Sequence, residues 1–333
     1  MGLTKGSERF VVPAALLAVA AVWGAAFVVV DDAIAVYPMY AFLSWRFAVA
    51  TLAFVIIFPR VLTRIDLPNV RLGVFAGLLL TAGYILQTWG LDGARATTPA
   101  RAAFITGLYV VLTPLMQAVI LRRAPRKATM LGAAIALVGL WFLSGGGAEG
   151  RLVFGDWLVV ACAFAYAAHI IVLGSTDERH DTAALTIIQL AVAAVICGSI
   201  SLLTEDAGLP TDTSVWIAIV ATGVFASAVA FGVQTWAQRR IPPSRVALIL
   251  VTETAFGGVF GWWAAGIAPL REVVGASIMM GGMLTSEAVA ALAPTEEHVA
   301  FEPALEGMPA PVIEDAGHPH HAGDGGDTSS PLG

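Results

Sequence analysis

Ten stretches of this chain are apolar for long enough to cross a bilayer, at 11–30, 40–59, 72–91, 102–121, 128–144, 153–174, 183–203, 214–237, 245–265 and 273–292. A span takes about 20 residues, each rising about 1.5 Å. The connections are short and leave no room for a separate soluble domain. Lipid cannot satisfy open backbone N–H and C=O groups, and a barrel would show alternating strands of about ten residues, so each run is expected to be an α-helix. The first run follows Lys5 and Arg9 and ends near Ala33-Ile34-Ala35, which imitates a signal-peptide cleavage site. It is longer than the roughly 7 to 15 residues of a signal core and reads as a retained span. Composition agrees, since 58% of the 333 residues are hydrophobic and 13% charged, more apolar surface than a soluble domain could hide.

Orientation follows from the basic residues, because positive loops stay cytoplasmic. With the N-terminus inside, thirteen of the 18 Lys and Arg fall at cytoplasmic ends, four (Arg95, Arg101, Arg151 and Arg271) fall outside, and Arg46 lies within a span. The expectation is a multi-pass protein of the cytoplasmic membrane with both termini inside. The net charge of −6 comes from the tail, which carries eight acids and no Lys or Arg from Pro294 onward. Its Pro, Gly, Ser and Glu content predicts disorder over residues 293–333. No basic stripe suggests nucleic acid. Cys162 and Cys197 lie in separate apolar stretches and indicate neither a disulfide framework nor a metal cluster. Asp31-Asp32 lacks the third acid that a diphosphate-binding pattern would need at Ala35, and no Gly-rich Lys-Ser/Thr loop occurs for ATP. No cofactor is expected, and the chain does not read as an enzyme.

The sequence repeats itself. Gln87-Thr88-Trp89 recurs as Gln234-Thr235-Trp236 at an offset of 147, and "PARAAFI" from Pro99 resembles "PSRVALI" from Pro243 at an offset of 144. The chain thus divides into two halves of five spans, 9–145 and 152–292. Five is odd, so the second half starts from the opposite side of the membrane, which makes the repeats inverted. Inverted repeats suit transporters in which a site near the midplane opens alternately to each side.

"WGAAF" from Trp23, "WRFAVA" from Trp45, "LQTWGL" followed by "ARAAFITGLYVVLTPL", and "QTWAQRRIPPSRVALILVTETAFGGVF" together resemble the EamA family of the drug/metabolite transporter superfamily. The resemblance runs from about residue 11 to 290. It implies an all-α fold of ten transmembrane helices in two inverted five-helix EamA repeats, and transport of small metabolites. In that family the ninth helix commonly carries a proline directly after its carboxylate, where this chain has Thr254.

Glu253 is the strongest candidate for a substrate- or proton-binding residue. It lies near the middle of the ninth run, and an ionised carboxylate facing lipid there would cost roughly 2.5 to 3.5 kcal/mol or more. It must face the bundle interior, be paired or be protonated. The first repeat offers Tyr109 at the matching place, so the charge belongs to one half only. Arg46 has the forked donors that suit a carboxylate or phosphate, and also a stem long enough to snorkel or pair internally. His169 and Tyr166 share a face of the sixth span by i, i+3 spacing. Gln87 and Gln234 are candidates to cap a substrate path, and Trp89 and Trp236 read as interface aromatics. Trp23, Phe27, Tyr84 and Tyr109 complete the candidate cavity wall. Gly73-x-x-x-Gly77 and Gly257-x-x-x-Gly261 permit close helix contact, inside the fold or in a homodimer. The reading is a secondary transporter exporting amino acids, their derivatives or related amphipathic compounds, with protons as a coupling ion. The alternatives are drug or cation efflux by the same fold, a membrane-embedded enzyme, or a non-transporting scaffold.

Overall fold

Every regular element among the described residues is helical. A computed structural model describes residues 5–91, 97, 99–121, 125–143, 152–177, 179–267 and 269–292, so the tail expected to be disordered lies outside them. The first half contains α1 (Lys5–Ile34), α2 (Met39–Ile57), a 3-10 turn (Pro59–Arg64), α3 (Leu67–Leu91), α4 (Pro99–Gly107), α5 (Tyr109–Leu121) and α6 (Lys127–Leu143). The second contains α7 (Phe154–Gly174), α8 (Thr182–Thr204), α9 (Thr213–Ala221), a π-helix (Thr222–Val229), α10 (Ala230–Gln238), α11 (Pro243–Leu250), α12 (Glu253–Ala265) and α13 (Leu270–Leu292).

Among the described residues, eight helical stretches are long and apolar enough by themselves to cross a membrane. Of the other two expected spans, α6 has 17 residues, and α13 has 23 but carries Arg271, Glu272 and Glu287. These two form the most extensive helix pair in the chain. Gly139 and Gly275 make that crossing close. A Cβ on Gly139 would lie 2.5 Å from both the Gly275 oxygen and the Met279 nitrogen, which are backbone atoms that cannot swing aside. Large side chains such as Leu202, Leu203 and Phe75 point outward, as expected of a surface that meets acyl chains rather than water.

Three runs expected as single helices are not. The fourth breaks at Leu108 between α4 and α5, and the ninth breaks at Val251–Thr252 between α11 and α12. The offset of 144 maps 252 onto 108, so the break occurs at the same place in both repeats. The physical cause is also shared, a tightening to i→i−3 bonds: Leu108 N–H to Ile105 O (3.1 Å) in one, Thr252 N–H to Ile249 O (3.2 Å) in the other. The eighth run keeps its length but is wound as a π-helix over eight residues.

Polar contacts sort the helix ends into two sets. At one end, Asn69 at the start of α3 accepts from Asp181 N–H, Arg64 pairs with Asp181 at 3.0 Å, Arg239 donates to His180 O, and Glu8 lies 3.4 Å from Arg240. Asp181 also caps α8 by accepting from Ala183 and Ala184 N–H. At the other end, reached along α3, Gly90 O accepts from Thr97 N–H, and Thr97 donates to Asp156 in the first turn of α7. There too Glu205 accepts from Tyr40 and Ala41 N–H, each at 2.9 Å, closing the open donors of α2. The first half therefore starts at one end of the bundle and the second at the other, which is the inversion expected from the odd span count.

The halves do not form separate lobes. The principal pairs are α3 with α7 and α8, α2 with α8 and the π-helix, α1 with α12 and α10, and α4 and α5 with α7. Each helix packs on a partner from the other repeat, and the pattern survives exchange of the repeats. Gly73 and Gly77 meet Ile188 and Val192 on α8, and Gly257 meets Gly24 on α1, whereas a Cβ on Gly261 would meet nothing within 4 Å. The first glycine pair and Gly257 thus serve packing within the fold.

Gly139→Ala is expected to lower stability by about 1 to 3 kcal/mol through overpacking, seen as an earlier thermal unfolding midpoint in detergent. Gly281→Ala on α13, where a Cβ would meet nothing within 4 Å, should leave the midpoint unchanged or raise it.

Candidate functional site

The buried apolar residues form two large clusters. One gathers α5, α6, α11, α12 and α13 with the start of α1, and the other gathers α2, α8 and α9. Trp23 from α1 and Tyr166 from α7 pack against both. They mark a boundary, and the interior polar candidates collect beside it.

Glu253 is the first residue of α12. At the break, first-turn N–H groups of α12 bond back across it, Thr254 N–H to Val251 O (3.2 Å) and Phe256 N–H to Thr252 O (3.0 Å), and a carboxylate at a helix start is favoured by the helix dipole. Two flanking hydroxyls close carbonyls at the break: Thr252 Oγ1 donates to Ile249 O (2.6 Å) and Thr254 Oγ1 to Val251 O (2.9 Å). The ninth run is therefore broken without a proline, and Thr254 bonds back to Val251 O at the break. Glu253 itself is half-buried, and among the described residues its carboxyl group has no hydrogen-bond or ion-pair partner. It interacts electrostatically with Tyr84, Tyr109 and Tyr166. Gly24, inside the "WGAAF" stretch, lets α1 close over this point. A Cβ there would lie 2.6 Å from Gly257 N and 2.8 Å from Glu253 O.

Arg46 reaches the same neighbourhood from the opposite cluster, acting electrostatically on Tyr84 and Tyr166. It is buried and internally engaged. Its Nε donates to Ser227 Oγ (2.8 Å), its Nη2 to Ala226 O (3.4 Å), and its guanidinium carbon lies 5.6 Å from the centre of the Phe47 ring. Trp23 Nε1 donates to the same Ala226 carbonyl at 2.7 Å. Both acceptors belong to the π-helix, whose wider i→i+5 winding offers carbonyls to outside donors. Thus α1 and α2 are tied to the eighth span through one peptide group.

Aromatic edges connect the rest. Tyr84 sits between Phe47 (5.4 Å) and Tyr166 (6.0 Å), both T-shaped, and Phe231 lies between Trp23 (5.4 Å) and His169 (6.4 Å). His169 is buried, with Nε2 2.8 Å from Gln189 Oε1. Gln189 Nε2 donates to Thr235, which donates to Phe231 O. His169 is thus held in a side-chain chain within the second repeat. Gln87 donates to Thr106 at 3.0 Å, whereas its repeat counterpart Gln234 is buried with its Oε1 unpartnered among the described residues. Trp89 is exposed near the end of α3, and Trp236 lies under Arg240 at 4.4 Å. The side chain of Phe27 lies outside the described residues.

Tyr84 and Tyr166 therefore face both Glu253 and Arg46, and Tyr109 faces Glu253, while His169, Gln87 and Gln234 have separate surroundings. Sequence reasoning missed Gln189, Thr235 as its acceptor, and Ser227. Gln189 carries a usable signal, a lone amide in the apolar run 183–203. Ser227 carries none, because a small hydroxyl in such a run is ordinarily satisfied by its own helix.

Residues 12–145 and 153–286 each match the family model described as "EamA-like transporter family". An "Uncharacterized transporter" of Archaeoglobus fulgidus is 29% identical over 273 residues, covering 82% of this chain and 82% of its own length. A solved crystal structure superposes with a TM-score of 0.71 at 17% identity, over 85% of this chain and 99% of the other. At that identity the likeness concerns the fold alone.

Thr254→Pro is expected to cost about 1 to 2 kcal/mol, because the first helical turn tolerates the ring while the bonds of the Thr254 N–H and hydroxyl to Val251 O are lost. Gly258→Pro in the middle of α12 should cost about 3 kcal/mol or more. Thermal unfolding of the two variants side by side checks whether the ninth span is broken where the hydrogen bonds place the break.

Proposed function

The chain belongs to the EamA-like transporter family, and from that membership we propose that it is a secondary active transporter with ten spans and both termini cytoplasmic, exporting small amphipathic metabolites such as amino acids or their derivatives across the cytoplasmic membrane. The observation that carries the reading is Glu253, a half-buried carboxyl group with no protein partner among the described residues, at a helix break beside the boundary between the two apolar clusters. A carboxyl group so placed can take up a proton or a substrate ammonium, but not both at once. That competition is the elementary step of antiport: a proton entering displaces the cation, and the cation displaces the proton on the return. Trp23 and Tyr166 lie where the clusters meet, so rocking one cluster against the other about them would open Glu253 to each side in turn.

A substrate carboxylate would look to Arg46. Two of its nitrogens are already committed to Ser227 and Ala226, which favours a second reading in which the cargo is a lipophilic cation held by Glu253 and the three tyrosines alone. Cation–π attraction by Tyr84, Tyr109 and Tyr166 would add about 0.5 to 2 kcal/mol per well-placed ring.

The test is flux in proteoliposomes with an imposed pH gradient, comparing an amino-acid mixture with a lipophilic cation. Glu253→Gln should abolish acceleration by the gradient while the protein still reconstitutes. If the gradient has no effect on wild type, or the variant couples normally, the coupling mechanism is wrong. Preference between the two cargoes decides the substrate class.

A further inference from the structure

At the end of the bundle that carries Arg64 and Arg239, a shallow groove of about 450 Å³ lies between the start of α3 and the loop before α8. It is lined by Pro68, Arg71, Leu72, Phe75, Arg179 and His180. Its lining combines two arginines and a histidine with apolar Pro68, Leu72 and Phe75. Arg179 is held by Asp177 at 2.7 Å, a pairing that with His180 keeps the Asp177 carboxyl lowered to about 2, so the acid stays ionised and its charge is taken up by these neighbours. Arg64 is paired with Asp181. Arg71 is exposed, and among the described residues it has no hydrogen-bond or ion-pair partner.

The groove continues into the membrane-facing surface. Leu67, Arg71, Phe75 and Leu78 follow i, i+4, i+8, i+11 spacing and so share one face of α3, and all four are exposed. Phe75 lies about 6 Å further along the helix axis than Arg71, at about 1.5 Å per residue. A cation at the end of a spanning helix, followed along the same face by exposed apolar side chains, has the layout of a lipid, headgroup first and acyl chain beneath. Basic recesses between spanning helices attract anionic headgroups in this way. A soluble anion would use the arginine but gain nothing from Phe75 and Leu78.

We propose that this groove binds one anionic phospholipid, its phosphate on Arg71 beside Arg179 and its acyl chain along Phe75 and Leu78. The test is native mass spectrometry of the full chain in detergent, titrated with phosphatidylglycerol or phosphatidylcholine of equal chain length. Wild type should take up its first phosphatidylglycerol more tightly than its first phosphatidylcholine. Arg71→Gln should weaken phosphatidylglycerol about five-fold, the usual worth of one basic residue at an anionic headgroup, and Arg71→Lys should restore it. Phe75→Ala should weaken both lipids, and Arg271→Gln, at the other end of the bundle, neither. Equal affinity for the two headgroups, unchanged binding by Arg71→Gln or by Phe75→Ala, or displacement of the lipid by millimolar inorganic phosphate would each overturn the proposal.

Discussion

Hydrocarbon offers no hydrogen bonds, so every peptide group inside a membrane must be satisfied by the chain itself. An unbroken helix does this without help. Each departure from a helix therefore needs an identifiable substitute, and here the substitutes stand around the candidate site. Thr252 and Thr254 close carbonyls where the ninth span breaks. Trp23 and Arg46 donate to the carbonyl of Ala226 where the eighth span widens to a π-helix. The irregular backbone and the polar side chains are one arrangement, since the first requires the second.

Interdigitation of the repeats follows from how little apolar attraction separates helix from lipid. Association in a membrane rests on close approach and on interhelical hydrogen bonds. Glycines at Gly24, Gly139 and Gly275 bring backbone against backbone, and carboxylates at Asp181 and Glu205 close open helix N-termini. Because the strongest pairs join one half to the other, moving one half alone would break them.

The repeats share a scaffold and differ at the chemistry. Both break their fourth helix at matching positions, and Thr88 and Thr235 make the same bond to the carbonyl four residues before them. Where the first repeat places Tyr109 the second places Glu253, and where Gln87 finds Thr106 its counterpart Gln234 finds no partner among the described residues. Symmetry supplies the frame, and its local failures supply a carboxyl group that a symmetric protein would have to hold twice.

By itself, the sequence determined the all-helical membrane fold, the two inverted halves and the presence of a lone carboxylate, Glu253, deep in the ninth run, because these depend on local quantities: apolar length, residue spacing, and where a charge falls along an apolar stretch. The offset of 144 is enough to pair Glu253 with Tyr109. Only the tertiary structure decided that the fourth and ninth spans are broken, since the tightened bonds at Leu108 and Thr252 leave no signature in hydropathy and no proline stands at either break. It alone showed Arg46 committed to Ser227 and Ala226, residues 181 and 180 positions away in the chain. It also separated His169 from Glu253 by binding it to Gln189. Partners of that kind are chosen by how helices cross, and the crossing is fixed by contacts summed over the whole bundle rather than by any one stretch of residues.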